Sequence, residues 1–269
     1  PTGVPMQVRP IALAALAVSV LAGFAADATT TQRYRVDSTN DATLDLTALG
    51  GQTQHQGAKL ATFYTVALTD SASGKALHAT LDSVQVDTDS SSSPPPPAMA
   101  DSARGATVTA FLSAGGVISG LAVATQNPLA QQLLPLFQNF YPRMKASAKV
   151  GDKWTDTLDY STPQGTSGAV QTKMVANWVV TAAEQHDGIA TRKVQSAYSW
   201  ARNGSFEGGQ GKVTLDGTAT GAATYWVAVD GRMVGATMNE NAAMTITVEQ
   251  APAPIPVKST NVVTISSIR

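Results

Sequence analysis

Alternation of apolar and polar residues is the dominant pattern along this chain. Ala58 to Asp70 (AKLATFYTVALTD) alternates, Ser71 to Lys75 supplies a Gly-containing turn, and Ala76 to Asp87 (ALHATLDSVQVD) alternates again, which predicts a long hairpin. A second hairpin is predicted over Ala106–Leu112 and Val117–Ala124, joined by Ser113-Ala114-Gly115-Gly116. Shorter strands are predicted at Gln32–Val36 and Thr43–Leu49, broken by Asp37 to Asp41 and by Gly50-Gly51. From Lys153 onward the strands lengthen: Lys153–Tyr160, Val170–Ala183, Ile189–Ala201, Lys212–Val229, Arg232–Val248 and Val257–Ile268. Their separators are Gln185 to Gly188, Asn203-Gly204, Asp230-Gly231 and Pro252 to Pro256. Turns this short imply up-and-down connectivity, and runs this long imply bulges or breaks near Gly217, Gly221 and Gly235. The fold class that follows is mainly β: an antiparallel up-and-down sheet of about ten to twelve strands curled into a barrel or half-barrel.

Two segments depart from the strand period. Asn127-Pro128 reads as a helix cap and first turn, after which Leu129, Leu133, Leu134, Phe137, Phe140 and Tyr141 recur at helical spacing until Pro142. This predicts one short amphipathic helix across the sheet, kinked at Pro135. Ile11 to Ala26 is a hydrophobic run preceded by Arg9 and Pro10, about 24 Å long as a helix, and reads as an export signal or a single membrane anchor. Ile11, Leu13, Leu16, Val20, Leu21 and Phe24 are its candidate membrane-facing residues. Ala26-Asp27-Ala28 offers a cleavage site, whereas a first residue at Pro1 favours a retained anchor with Arg9 on the cytoplasmic side. The chain then divides into a segment 1–30 and an extracytoplasmic β-rich domain 31–269 with a Ser/Pro loop at 88–100. The expected address is periplasmic and membrane-associated, in an exported bacterial protein.

Composition narrows the chemistry. Charged residues are only 14% against 43% hydrophobic, a surface suited to burial against partners. A formal net charge of -1, with 18 basic and 19 acidic residues dispersed, lacks the electrostatic footprint of a nucleic-acid binder. Without cysteine there is no disulfide, thiolate ligand, cysteine nucleophile or lipidated cysteine. His55, His78 and His186 are not at metal-ligand spacing, so no metal is expected. No nucleophile elbow, phosphate loop, dinucleotide fingerprint or H-E-x-x-H occurs, and Gly165-Thr166-Ser167-Gly168 reads as a loop. Asp156 with Asp159, and Asp82 with Asp87, read as acids on a solvated β-face. No catalytic residue and no cofactor are assigned, and the chain is expected not to be an enzyme.

The residues singled out are Trp154, Trp178, Trp200 and Trp226, which fall on four successive predicted strands as core or interface anchors or as an aromatic lining. Pro94, Pro95, Pro96 and Pro97 close a Ser-rich tract that cannot enter a ladder. Neither this tract nor segment 1–30 buries enough apolar surface to offset about 1–2 kcal/mol of backbone entropy per residue, so a partner is expected to hold them.

Val150-Gly151-Asp152-Lys153-Trp154, just after a Pro-limited helix, resembles the VGD-x-W step of exported bacterial β-proteins, themselves similar in shape to the half-barrels of lipoprotein carriers. That resemblance implies a hydrophobic concavity. An Ala/Thr/Gly-rich exported β-protein with a proline tract is also similar to membrane-extrinsic accessory subunits of bacterial photosynthetic reaction-centre/light-harvesting complexes. The leading expectation is therefore a non-catalytic structural subunit that stabilises a membrane protein assembly from the extracytoplasmic side. The alternative is a periplasmic carrier of a hydrophobic ligand, with Leu133, Phe137 and Phe140 as a lid.

Overall fold

The computed structural model describes residues 29–86, 101–124, 136–145, 147–164, 168–208 and 211–268. Eleven strands make one antiparallel sheet: β1 (Thr29–Leu44), β2 (Gln54–Ser71), β3 (Gly74–Val86), β4 (Thr107–Ser113), β5 (Ile118–Val123), β6 (Lys153–Gln164), β7 (Gly168–His186), β8 (Ile189–Gly208), β9 (Gly211–Ala228), β10 (Met233–Val248) and β11 (Ile255–Ile268). Their spatial order is β5-β4-β3-β2-β1-β11-β10-β9-β8-β7-β6. Every sequential pair except β5 and β6 is hydrogen-bonded, and pairing of β1 with β11 joins the two ends of the chain in the middle of the sheet. The sheet is therefore a meander opened at one seam and curled into a half-barrel.

The sequence chooses the curl through segregation of its two faces. On β7 the residues Val170, Thr172, Met174, Ala176, Trp178 and Val180 are buried, and the alternating Lys173, Val175 and Asn177 are exposed. The same alternation on β8 to β11 puts small Thr, Asn, Ser and Ala outside and apolar side chains on the concave face. Beside the seam at β5/β6, residues 136–145 pack on the concave face as a cap. Phe137 and Phe140 are fully buried there. They meet Tyr64 and Tyr34 edge-on at 5.2 Å and stack on each other at 5.1 Å. Tyr225 on β9 donates to the Asn139 carbonyl at 2.9 Å, and Tyr34 donates to the Met233 carbonyl at 3.0 Å. Gly116, at φ +80°, brings the β4–β5 turn so close to the cap that a Cβ there would lie 2.3 Å from the Pro142 carbonyl oxygen.

Several expectations need correction. The two short strands at Gln32–Val36 and Thr43–Leu49 are one continuous β1, because Asp37 to Asp41 stays in register with both β2 and β11, and a 3-10 turn (Thr47–Leu49) follows. Asn203-Gly204 is not a turn: Asn203 pairs with Gln171 and Asp216, and Gly204 with Val170 and Leu215, inside the ladder. A Cβ on Gly204 would lie 2.2 Å from the Ala169 carbonyl oxygen, so the glycine serves close strand approach. The expected irregularity at Gly235 is present, as a register shift between Met233 and Gly235. Gly217 and Gly221 lie instead in regular ladder. The helix expected to end at Pro142 is described only as a turn at 136–138. Its residues Leu129, Leu133 and Leu134, together with segment 1–28 and the Ser/Pro loop at 88–100, lie outside the described residues.

Candidate ligand trough on the concave face

The ladder registers place inner-face side chains in transverse rows. One row crosses the sheet at the edge of the cap: Asp156, Ala176, Tyr198, Gly221, Glu240, Asn261 and Asn40, on β6, β7, β8, β9, β10, β11 and β1 in turn. It is the polar row of the concave face. Glu240 accepts from Trp200 Nε1 at 2.8 Å and from the Tyr198 hydroxyl at 3.3 Å, both through Oε2. Tyr198 can lie toward Glu240 because position 221 has no side chain; a Cβ there would be 2.3 Å from Tyr198 Cζ. Burial, reinforced by the Glu240 carboxylate, drives the Tyr198 phenol far above its ordinary pKa.

At the β6 end of the same row, Arg143 of the cap donates from Nη1 to Asp156 Oδ2 at 2.6 Å. Arg143 is only 5% exposed. Among the described residues its Nη2 has no hydrogen-bond partner, and neither has the buried Nε1 of Trp178, one row away on β7. Trp178 stacks on Trp154 at 6.1 Å and tilts against Tyr225 at 5.8 Å. Desolvation raises the Tyr225 phenol well above the usual range, and the Arg143 charge opposes that rise, so the ring and the guanidinium share one environment.

Past the polar row the inner face continues along β6 to β11, where Thr172, Met174, Trp200 and Ala219 are buried. Leu158, Met174, Trp200 and Ala219 form the next row, with Met244, Leu215, Ile246 and Phe206 farther on. From Tyr198 to Phe206 along β8 this apolar strip runs roughly 27 Å. Among the described residues, the cap's hydrogen bonds, ion pairs and ring contacts end at Asp156. The strip is floored tightly: Met244 lies over Gly217, where a Cβ would be 2.5 Å from its Cγ, and the Arg202 guanidinium sits 4.1 Å over the Trp200 ring.

The sequence-selected tryptophans thus separate. Trp154, Trp178 and Trp200 line the concave face, at the polar row or beside it. Trp226 alternates with the inward Tyr225 and belongs to the outer face. There it donates to Glu184 Oε1 at 2.7 Å and stacks on His186 at 4.1 Å. His186 is therefore half-buried against a ring rather than a solvated turn residue, and Asp187-Gly188, both at positive φ, make the turn. Pro94 to Pro97 and Ile11, Leu13, Leu16, Val20, Leu21 and Phe24 lie outside the described residues. Arg143, Glu240 and Tyr198 were not selected from the sequence; strand parity would have flagged the latter two, as polar residues at inward positions.

Depressions on the outer face are shallow grooves between rows of short side chains, such as one of about 520 Å³ along Thr43, Thr218, Asn241 and Lys258. At the turn end, a hollow of about 360 Å³ lies between Leu112, Tyr141, Met144 and Val227. No group of three or more metal-ligating side chains occurs among the described residues.

No family model matches the chain, and no curated protein does. Among solved structures it is similar to a loop-deletion mutant of OmpT, an outer membrane protein of Vibrio cholerae, at 9% identity and TM-score 0.25, covering 90% of this chain and 100% of that one. A mutant Rh. blastica porin matches at 8% identity and TM-score 0.24 over 90% and 100% of the two chains. Pseudomonas aeruginosa OccK2 matches at 8% and 0.23 over 88% and 98%. Likeness of this degree assigns neither membrane insertion nor a pore to this chain.

Proposed function

We propose that this chain is a non-catalytic, extracytoplasmic binder of a hydrophobic ligand, an acyl chain held along the apolar concave face past the polar row. The supporting observation is the continuous apolar inward face of strands β6 to β11. Strands β6 to β11 keep an inward apolar face for roughly 27 Å past the polar row, while their outward positions are Thr, Asn and Ser. The leading sequence expectation, a structural subunit of a membrane assembly, rests on segment 1–30 and the Ser/Pro tract, most of which lies outside the described residues.

Magnitudes bound the ligand. Each buried methylene contributes about 0.8 kcal/mol, so about twelve supply roughly 10 kcal/mol, within the range of about 4–15 kcal/mol that association costs. Short chains should therefore fail to bind, and affinity should rise about fourfold per methylene until the strip is filled. The test is mass spectrometry of an organic extract of the purified protein, followed by titration with saturated acyl esters of increasing length. Ile246→Arg, which points into the strip, should cut affinity at least about tenfold, while Thr245→Arg on the outer face should leave it unchanged. An extract free of lipid together with no binding at any chain length would refute the reading. Membrane proteins that co-purify in its place would favour the structural role.

A further inference from the structure

The corner where the cap meets β6 and β7 has a chemistry that selects among apolar ligands. Arg143 is buried, with one arm of its guanidinium on Asp156 at 2.6 Å and Nη2 without an acceptor among the described residues. Trp178 is buried to the same degree and its Nε1 also lacks an acceptor among them. Two buried donors on adjoining elements thus want oxygen, and a buried donor left unmade costs about 1–3 kcal/mol. Along β6, the inward position after Asp156 is Leu158, which pairs with Met174 at the start of the apolar strip. A group received at this corner would have its chain already directed down the trough.

The charge balance decides what the group is. Arg143 is neutralised by Asp156, so an incoming carboxylate or phosphate would leave one negative charge uncompensated in a site from which water is largely excluded. A neutral carbonyl oxygen would take both donors without that penalty. Resting on the trough reading above, we propose that the ligand's buried polar group is an uncharged acyl carbonyl, as in a fatty ester, received by Nη2 of Arg143 and Nε1 of Trp178. The carbonyl enters past Trp154, which covers Trp178 from the sheet's unpaired edge, where no neighbouring strand holds it on its outer side.

The experiment compares three ligands of one chain length against the full chain: a saturated fatty acid at a pH where it is ionised, its methyl ester, and the alkane. The ester is expected to bind about tenfold more tightly than either of the others. Trp178→Phe, which keeps a ring but removes the donor, should bring the ester toward the alkane and leave the alkane unchanged. Asp156→Asn, which unmasks the Arg143 charge while keeping the shape, should reverse the preference so that the acid binds better than the ester. Equal binding of all three ligands, or an acid that matches the ester in the unaltered protein, overturns this proposal and leaves the trough standing. Binding of none of the three overturns both.

Discussion

Raising the pH should unfold this protein abruptly, because five of its six tyrosines have phenols that the fold keeps protonated. Burial is the first cause in each case, and Tyr198 has the Glu240 carboxylate beside it as well. The sign is fixed by proton counts. A folded-state pKa above the unfolded value of about 10 means that the unfolded chain sheds protons first, so the stabilisation is complete below pH about 10 and is lost as pH climbs toward the folded values. At one pH unit above 10, each unfolded tyrosine gains about 1.4 kcal/mol from ionisation, and five together gain about 7 kcal/mol. That is comparable with the roughly 5–15 kcal/mol stability of a whole domain. Absorbance of tyrosinate and far-ultraviolet circular dichroism, followed together in an alkaline titration, should show one coincident step between pH about 10 and 11.5. Gradual ionisation of these phenols at pH about 10 with the sheet intact would show that the concave face is wetter than its packing implies, and would refute the reasoning.

Two further outcomes follow from packing. Phe140→Ala removes a fully buried ring that touches Tyr34, Phe137 and Tyr141, and should cost about 3–5 kcal/mol in denaturant unfolding, far more than the change of under about 0.5 kcal/mol expected at an exposed position. Gly221→Ala places a Cβ 2.3 Å from Tyr198 Cζ and 2.7 Å from the Asn239 carbonyl oxygen, and should cost about 1–3 kcal/mol. In a Tyr198→Ala background that cost should fall by more than half, and strict additivity in the double-mutant cycle would contradict the assigned contact.

The meander was legible because alternation and short turns are local signals. His186-Asp187-Gly188-Ile189 has the sequence of a two-residue hairpin turn and forms one. Asn203-Gly204 carries an equally strong local signal and does not turn, because β7 and β9 hold it on both sides and Gly204 is needed where the Ala169 carbonyl comes within a Cβ's reach. Tertiary pairing outweighs turn propensity there. Trp226 shows a second limit: spacing put four tryptophans on four strands, but the face each occupies depends on parity counted through the register shifts at Val180/Ala182 and Met233/Gly235. Arg143 was illegible for another reason. Its partner Asp156 lies on a different element, and only the packing of the cap on the concave face brings the two within 2.6 Å.

The placement of the seam ties these features together. Strand β4 pairs with β3 only along Gly74 to Thr80, at the turn end, and β5 is shorter still, so the limb beyond β2 exists only where the cap lies. At the other end β1, β2 and the long β6 to β11 continue without it. The concave face thus spans eleven strands at the cap end and eight at the other. Joining β5 to β6 would close the first end as a barrel but could not close the second, because β5 does not extend that far. Exposed strand edges invite pairing with other chains unless charge or proline blunts them. Strand β6 carries Lys153 and Asp159 along its free edge, and Arg143 of the cap is fastened to its inward Asp156. The seam is therefore an edge whose charges oppose pairing with another strand.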